Sequence, residues 1–129
     1  MKRVLVCEDE DLIRKGICKI VEGVCRDVQV QECDNGLEGY KAIAMWNPHV
    51  VITDIRMPVM DGLEATRLIR ALNRPDARTV PIVAMSANAF EEDMKKSLES
   101  GMNAHLAKPF QVEALVETLH TIMKEKGAS

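Results

Sequence analysis

Apolar and polar positions along the chain follow two alternating periods. Short apolar runs at residues 4–7, 28–32, 50–53, 81–85 and 104–107 predict five strands. Between them, Ile13, Ile17, Ile20, Val21 and Val24 recur at helical spacing, as do Leu37, Tyr40, Ile43 and Ala44. Ala65, Leu68, Ile69 and Leu72 predict a third helix, and Phe90, Met94 and Leu98 a fourth. Val112, Leu115, Val116, Leu119, Ile122 and Met123 give the fifth and best defined. Near-continuous apolar strands separated by one-sided helices are the pattern of a parallel sheet covered on both faces, an α/β, doubly wound (βα)5 fold. The second run alternates most and is therefore expected at a sheet edge.

The punctuation agrees. Asp34-Asn35-Gly36 turns into the second helix, Asp61-Gly62 opens the third, Gly101 ends the fourth and Pro109 closes the fifth strand. Residues 73–79 are polar and carry a proline, which predicts a flexible surface loop. There is no internal repeat, and the 129 residues are expected to form one domain with a core over 2–125. Too few residues remain outside these elements for an output domain, so a response is expected to pass from this domain to another molecule. Right-handed crossovers put the reactive groups of such a fold at the carboxyl ends of its strands.

Charge and composition remove several classes of function. The net charge of −3 carries no basic stretch, which argues against direct nucleic-acid binding. No apolar run is long enough to span a bilayer, and Met1 to Leu5 leads into a strand instead of a signal peptide, so a cytoplasmic location and no membrane partner are expected. Cys7, Cys18, Cys25 and Cys33 lack the close spacing of zinc ligands and are expected as buried thiols.

On this scaffold Glu8 and Asp9 end the first strand, Asp54 the third, Ser86 the fourth and Lys108 the fifth. Three carboxylates on one rim repel one another, and a hard cation with oxygen ligands relieves that; a site that keeps several waters suits Mg²⁺. A carboxylate beside Mg²⁺ can attack phosphorus while the metal and an ammonium, here Lys108, neutralise charge on the equatorial oxygens. The Ser86 hydroxyl can donate to a phosphoryl oxygen and so register its presence. Glu10 and Asp11 read better as helix-start residues than as ligands. Met57 and Met60 read as packing residues, and His49 and His120 as surface histidines.

Glu8-Asp9, residues 53–62 around Asp54, Ala84-Met85-Ser86-Ala87 and Lys108-Pro109-Phe110 together resemble the receiver domain of two-component response regulators, over essentially the whole chain. The resemblance implies the flavodoxin-like, CheY-like strand order 2-1-3-4-5. It implies that Asp54 accepts a phosphoryl group from a sensor histidine kinase or a histidine phosphotransfer protein. Mg²⁺ would be held by Glu8, Asp9, Asp54 and the backbone carbonyl of Arg56. Lys108 would pair with the phosphorylated aspartate, through a cis Lys108-Pro109 bond, and Ser86 would move toward the phosphoryl group. The face made by the fourth helix, fifth strand and fifth helix would then meet an output partner, a fused output domain or, on phosphorylation, a second copy. The resemblance also implies that Arg56 and Asn88 hold positions that tune hydrolysis of the phosphoryl group.

Two residues depart from the family pattern. His105 stands where Tyr or Phe is usual, three residues before the lysine, and joins Ser86 as the expected switch pair. Histidine titrates near neutral pH, so partner binding is expected to depend on pH. Glu8 replaces the commoner Asp with a longer carboxylate. Rival functions fit less well. A phosphatase of the haloacid dehalogenase kind needs a second aspartate two residues after the nucleophile, where this chain has Arg56. A flavin carrier needs a Ser/Thr/Gly-rich loop after the first strand, where Glu8 to Asp11 would repel phosphate. A pseudo-receiver that only binds partners would not need Asp54, Ser86 and Lys108. The expected function is thus a phosphoacceptor signalling domain, and not an enzyme acting on other substrates.

Overall fold

A computed structural model describes residues 2–24, 27–55, 60–72, 74–86, 91–107 and 111–127, with 91–94 and 123–127 described as backbone alone. The elements run β1 (Lys2–Cys7), α1 (Asp11–Val24), β2 (Val28–Cys33), α2 (Gly36–Trp46), β3 (Val50–Asp54), α3 (Gly62–Arg70), α4 (Pro75–Thr79), β4 (Ile82–Ser86), α5 (Glu91–Ser100), β5 (Ala104–Ala107) and α6 (Val112–Gly127). All four strand pairings are parallel, and the sheet order is β2-β1-β3-β4-β5, as the resemblance implied.

Burial follows strand position. β3 and β4 are buried at every residue, because helices cover both sides of the middle of the sheet. β2 alternates and lies at an edge, as expected from its sequence. On one face, Val4, Val6, Ile52 and Met85 pack against Ile17 and Val21 of α1 and Leu115 and Leu119 of α6. On the other, Leu5, Cys7, Val51 and Ile82 pack against Ile43 of α2 and Ile69 of α3. Asn35 and Asp61 cap α2 and α3, each side chain accepting from the backbone N–H three residues on, at 2.9 and 2.8 Å. Each cap contributes about 1 kcal/mol. Cys7, Cys18 and Cys33 are buried free thiols, as expected, while Cys25 lies outside the described residues.

The structure corrects several readings, among them Leu68 and Val112 of the third and fifth predicted helices, which are 38% and 52% exposed. Residues 73–79 do not form a plain loop: Pro75–Thr79 is a short helix with proline in its first turn, where a missing N–H costs nothing, and Ala77 is fully buried. Ala44, assigned to the packed stripe of α2, faces outward. The buried face is instead Gly36, Gly39, Ala42 and Ile43, and a Cβ at Gly39 would stand 2.7 Å from the Cys7 sulfur, so α2 lies too close to β1 for a larger residue. Leu98, expected in the core, is 63% exposed, because α5 buries Ser97 and Ser100 instead. Phe90 lies outside the described residues, as does the Met94 side chain.

Far from the carboxyl ends of the strands, Arg70 ties several elements together. Its Nε and Nη2 donate to the Gly101 carbonyl at 3.0 and 2.8 Å, Nη1 to the Ala77 carbonyl at 3.0 Å, and Nη2 also to Asn103 Oδ1 at 2.9 Å. Burial pulls its pKa down from the usual arginine value, yet a guanidinium stays charged at neutral pH. Gly101 ends α5 with φ of 104°, a left-handed conformation natural to glycine.

Candidate phosphoacceptor and metal site

Register brings the acidic residues together. Cys7 of β1 pairs with Thr53 of β3, so the next residues, Glu8 and Asp54, emerge side by side from the ends of neighbouring strands. Glu8 is fully buried, Asp54 is 6% exposed and Asp9 is exposed. One carboxylate oxygen from each of the three lies within 4.8 Å of the others. Two full charges at that spacing, in a partly desolvated site, repel by roughly 3–4 kcal/mol. An all-oxygen donor set of this charge and size fits Mg²⁺, which prefers carboxylates and retained waters.

The backbone around the cluster is held from several sides. Glu8 N donates to the Cys33 carbonyl at 2.9 Å, and Glu8 Oε2 accepts from Glu10 N at 3.2 Å. Arg14 Nη1 donates to the Glu8 carbonyl at 2.8 Å, while its Nε donates to Glu32 Oε1 at 3.0 Å and its Nη2 to Asp11. The Arg14 side chain is 12% exposed, and it clips the Glu8-Asp9 turn to α1 and β2 together. Asp11 first, then Glu32, holds the Arg14 pKa above its usual value, and Lys15 with Arg14 holds Glu32 below the usual carboxylate range. On the Asp54 side, a Cβ at Gly62 would meet the Asp54 carbonyl oxygen at 2.3 Å, so only glycine lets α3 start this close. Asp11 acts as a helix-start residue, as expected, being the first residue of α1.

On the other flank of Asp54 the described residues present hydroxyls and an imidazole. Met85 pairs with Asp54 in register, which puts Ser86, fully buried, one residue further along β4. Ser86 Oγ lies 2.9 Å from His105 Nε2, and the opposite ring nitrogen, Nδ1, lies 3.2 Å from Ser97 Oγ of α5. Hydroxyls both donate and accept, so they can serve either neutral tautomer of the ring and its protonated form. The expected pair of Ser86 and His105 is therefore in contact, and Ser97 extends it into a helix.

Lys108, Arg56, Pro109, Asn88 and Met57 lie outside the described residues. Ser97 and Arg14 were missed by sequence reading. Nothing local marks Ser97, whereas Arg14 stands beside the apolar stripe of α1, where a long cation must leave by the rim. His49 and His120 are exposed, as expected.

A family model described as the response regulator receiver domain matches residues 4–120. The chain belongs to that family. The receiver domain is 30% identical over 126 residues to the transcriptional regulatory protein YesN of Bacillus subtilis, covering 97% of this chain and 33% of YesN. It is also 30% identical to the chemotaxis protein CheY of Halobacterium salinarum, covering 95% of this chain and 97% of CheY. Many of its curated relatives are therefore much longer than the region shared with this chain. Among solved structures, the receiver domain of the sensor histidine kinase PA1611 from Pseudomonas aeruginosa, with a magnesium ion coordinated in its active site cleft, superposes with a TM-score of 0.81 at 30% identity, covering 95% of each chain. CheY4 of Vibrio cholerae gives 0.85 at 25% identity, covering 95% of this chain and 98% of CheY4. The chain is thus a signalling domain of two-component systems. No helix among the described residues is long and apolar enough to cross a membrane.

Proposed function

We propose that this receiver domain, as one domain over residues 1–129, accepts a phosphoryl group on Asp54 from a histidine kinase or histidine phosphotransfer protein. The observation that carries this reading is the meeting of Asp54 with Glu8 and Asp9 within 4.8 Å at the strand ends. An Asp54 oxygen forms a bond to phosphorus as the bond from phosphorus to the donor histidine nitrogen breaks, and the imidazole leaves with the electron pair. Glu8, Asp9, Asp54 and the Arg56 carbonyl would hold Mg²⁺, which supplies charge neutralisation for the transferring group. The magnesium-bearing PA1611 receiver domain supports that assignment. Lys108 is assigned to the phosphoryl oxygens. The domain's own catalysis is limited to its phosphorylation and dephosphorylation, in the cytoplasm.

Ser86 is assigned as the group that senses the phosphoryl oxygen, and His105 as the residue that follows it. The output face is α5, β5 and α6, where Leu98 and Val112 are apolar and 63% and 52% exposed, as a protein partner would use them. Intact-protein mass after incubation with acetyl phosphate tests the reading. A Mg²⁺-dependent gain of one phosphoryl group, lost in Asp54→Asn, is expected. No gain with any donor would sink the mechanism and leave a domain that only binds partners.

A further inference from the structure

One pair of nucleophiles is not used by this mechanism. Cys7 and Cys33 are the last residues of β1 and β2 and are partners in register, with both side chains in the same apolar cluster. Partners on parallel strands stand about 4.8 Å apart at their backbones, inside the Cα range of about 4.4–6.8 Å that a disulfide spans. Both thiols are free. Gly39 holds α2 against the Cys7 sulfur and closes that side, whereas Cys33 borders an open groove lined also by Arg14, Lys15, Lys41 and Trp46. A small oxidant therefore reaches Cys33 first, with Cys7 waiting behind it.

We propose that Cys7 and Cys33 form an oxidisable dithiol whose disulfide weakens metal loading of the adjacent acidic site. The oxidant class is a hydroperoxide. The Cys33 sulfur attacks one peroxide oxygen, the O–O bond breaks and a sulfenic acid forms. The Cys7 sulfur then attacks the Cys33 sulfur, the S–O bond breaks, and the hydroxyl leaves with the Cys7 proton as water. The two sulfurs lose two electrons in all, and hydrogen peroxide becomes two waters. A thiol reductant reverses the bond by exchange.

The effect on the site follows from the strand order. β1 lies between β2 and β3, and Glu8 follows Cys7 directly. A disulfide prefers a Cα separation of about 5.5–6 Å, wider than the strand spacing of about 4.8 Å, so the bond spreads the ends of β1 and β2 and loosens the Glu8 N–H bond to the Cys33 carbonyl that seats Glu8 beside Asp54. This second half of the proposal rests on the phosphoacceptor reading, while the disulfide itself does not.

The full chain is treated with hydrogen peroxide, alkylated and mapped without reduction. A loss of about 2 Da, a peptide joining Cys7 to Cys33, and reversal by dithiothreitol are expected. In Cys7→Ser a sulfenic acid should persist at Cys33 and be trapped by dimedone. Oxygen addition without a cross-link, or a link to Cys18 or Cys25 instead, overturns the dithiol. Calorimetric titration with Mg²⁺ is then run on both redox forms, beside peroxide-treated Cys33→Ser. A severalfold weaker affinity confined to the disulfide form supports the coupling. Equal affinities overturn the coupling alone, and absence of Mg²⁺ binding in either form overturns the coupling together with the metal site it depends on.

Discussion

The two flanks of Asp54 are built on opposite principles. Toward β1 stand Glu8 and Asp9, whose charges crowd Asp54 and whose backbone is clamped by Arg14 and by the Cys33 carbonyl. Toward β4 and β5 stand Ser86, His105 and Ser97, joined by hydrogen bonds of 2.9 and 3.2 Å. The first flank gathers charge that a cation can offset, and rigidity serves it, because binding improves when ligands need not be ordered. The second holds polar groups whose bonds exchange at little cost, which suits a part that must change partners. On the proposed function, the same sheet would separate capture from readout by one strand.

Substitutions can break that separation. The largest effect is expected from Asp54→Asn, which removes labelling by acetyl phosphate altogether. Asp9→Asn should weaken Mg²⁺ by about tenfold, or roughly 1.4 kcal/mol, as read by calorimetry, because it removes one charge from a cluster that would bind through charge. Arg14→Gln leaves every carboxylate in place and loosens only the turn that carries two of them. A severalfold loss of Mg²⁺ affinity is expected, partly restored by Arg14→Lys, with labelling at saturating Mg²⁺ close to normal. A structural role alone would lower the melting temperature without that split between metal affinity and rate.

Ser97→Ala probes the other flank. It should cost about 1 kcal/mol of stability, since a half-buried ring nitrogen loses its partner, while Mg²⁺ affinity and labelling stay as they were. Partner affinity should change, and His105→Tyr should remove its dependence on pH near neutrality. If Ser97→Ala shifted Mg²⁺ affinity as far as Arg14→Gln, the two flanks would be one unit. The smallest effect concerns His49, outside both flanks. Its Nδ1 accepts from Arg3 N at 3.0 Å, and burial, then Lys2 and Arg3, lower its pKa. Between the lowered folded value and the ordinary value near 6.5 the unfolded chain binds more protons, so stability rises with pH across that window. The contribution is complete above the ordinary value and is lost as pH falls to the folded one. Thermal melts of His49→Gln should lack this small dependence.

Much of this division is legible in the chain, and the remainder has physical reasons. The apolar runs locate every strand to within two residues, because a buried parallel strand has few ways to be polar. Glu8, Asp9 and Asp54 could be grouped in advance because strand ends converge on one rim. Ser97 could not, since its role depends on which face of α5 lies over β5. Leu98 misled for the same reason: helical spacing finds a stripe, and here the buried positions on α5 include serines. Pro75–Thr79 reads as a loop by composition, and becomes helical because Ala77 finds a core to enter.

Arg70 adds a mechanical consequence. By gripping the Gly101 carbonyl together with Ala77 and Asn103, it anchors the far end of α5 to α3, α4 and the start of β5. If Ser86 and His105 switch as proposed, a push that begins there would reach a lever with its fulcrum at Gly101, and displacement would grow along α5 toward Glu91. A partner that reads the near end of this lever would detect the largest travel, and one that reads the anchored end would detect almost none.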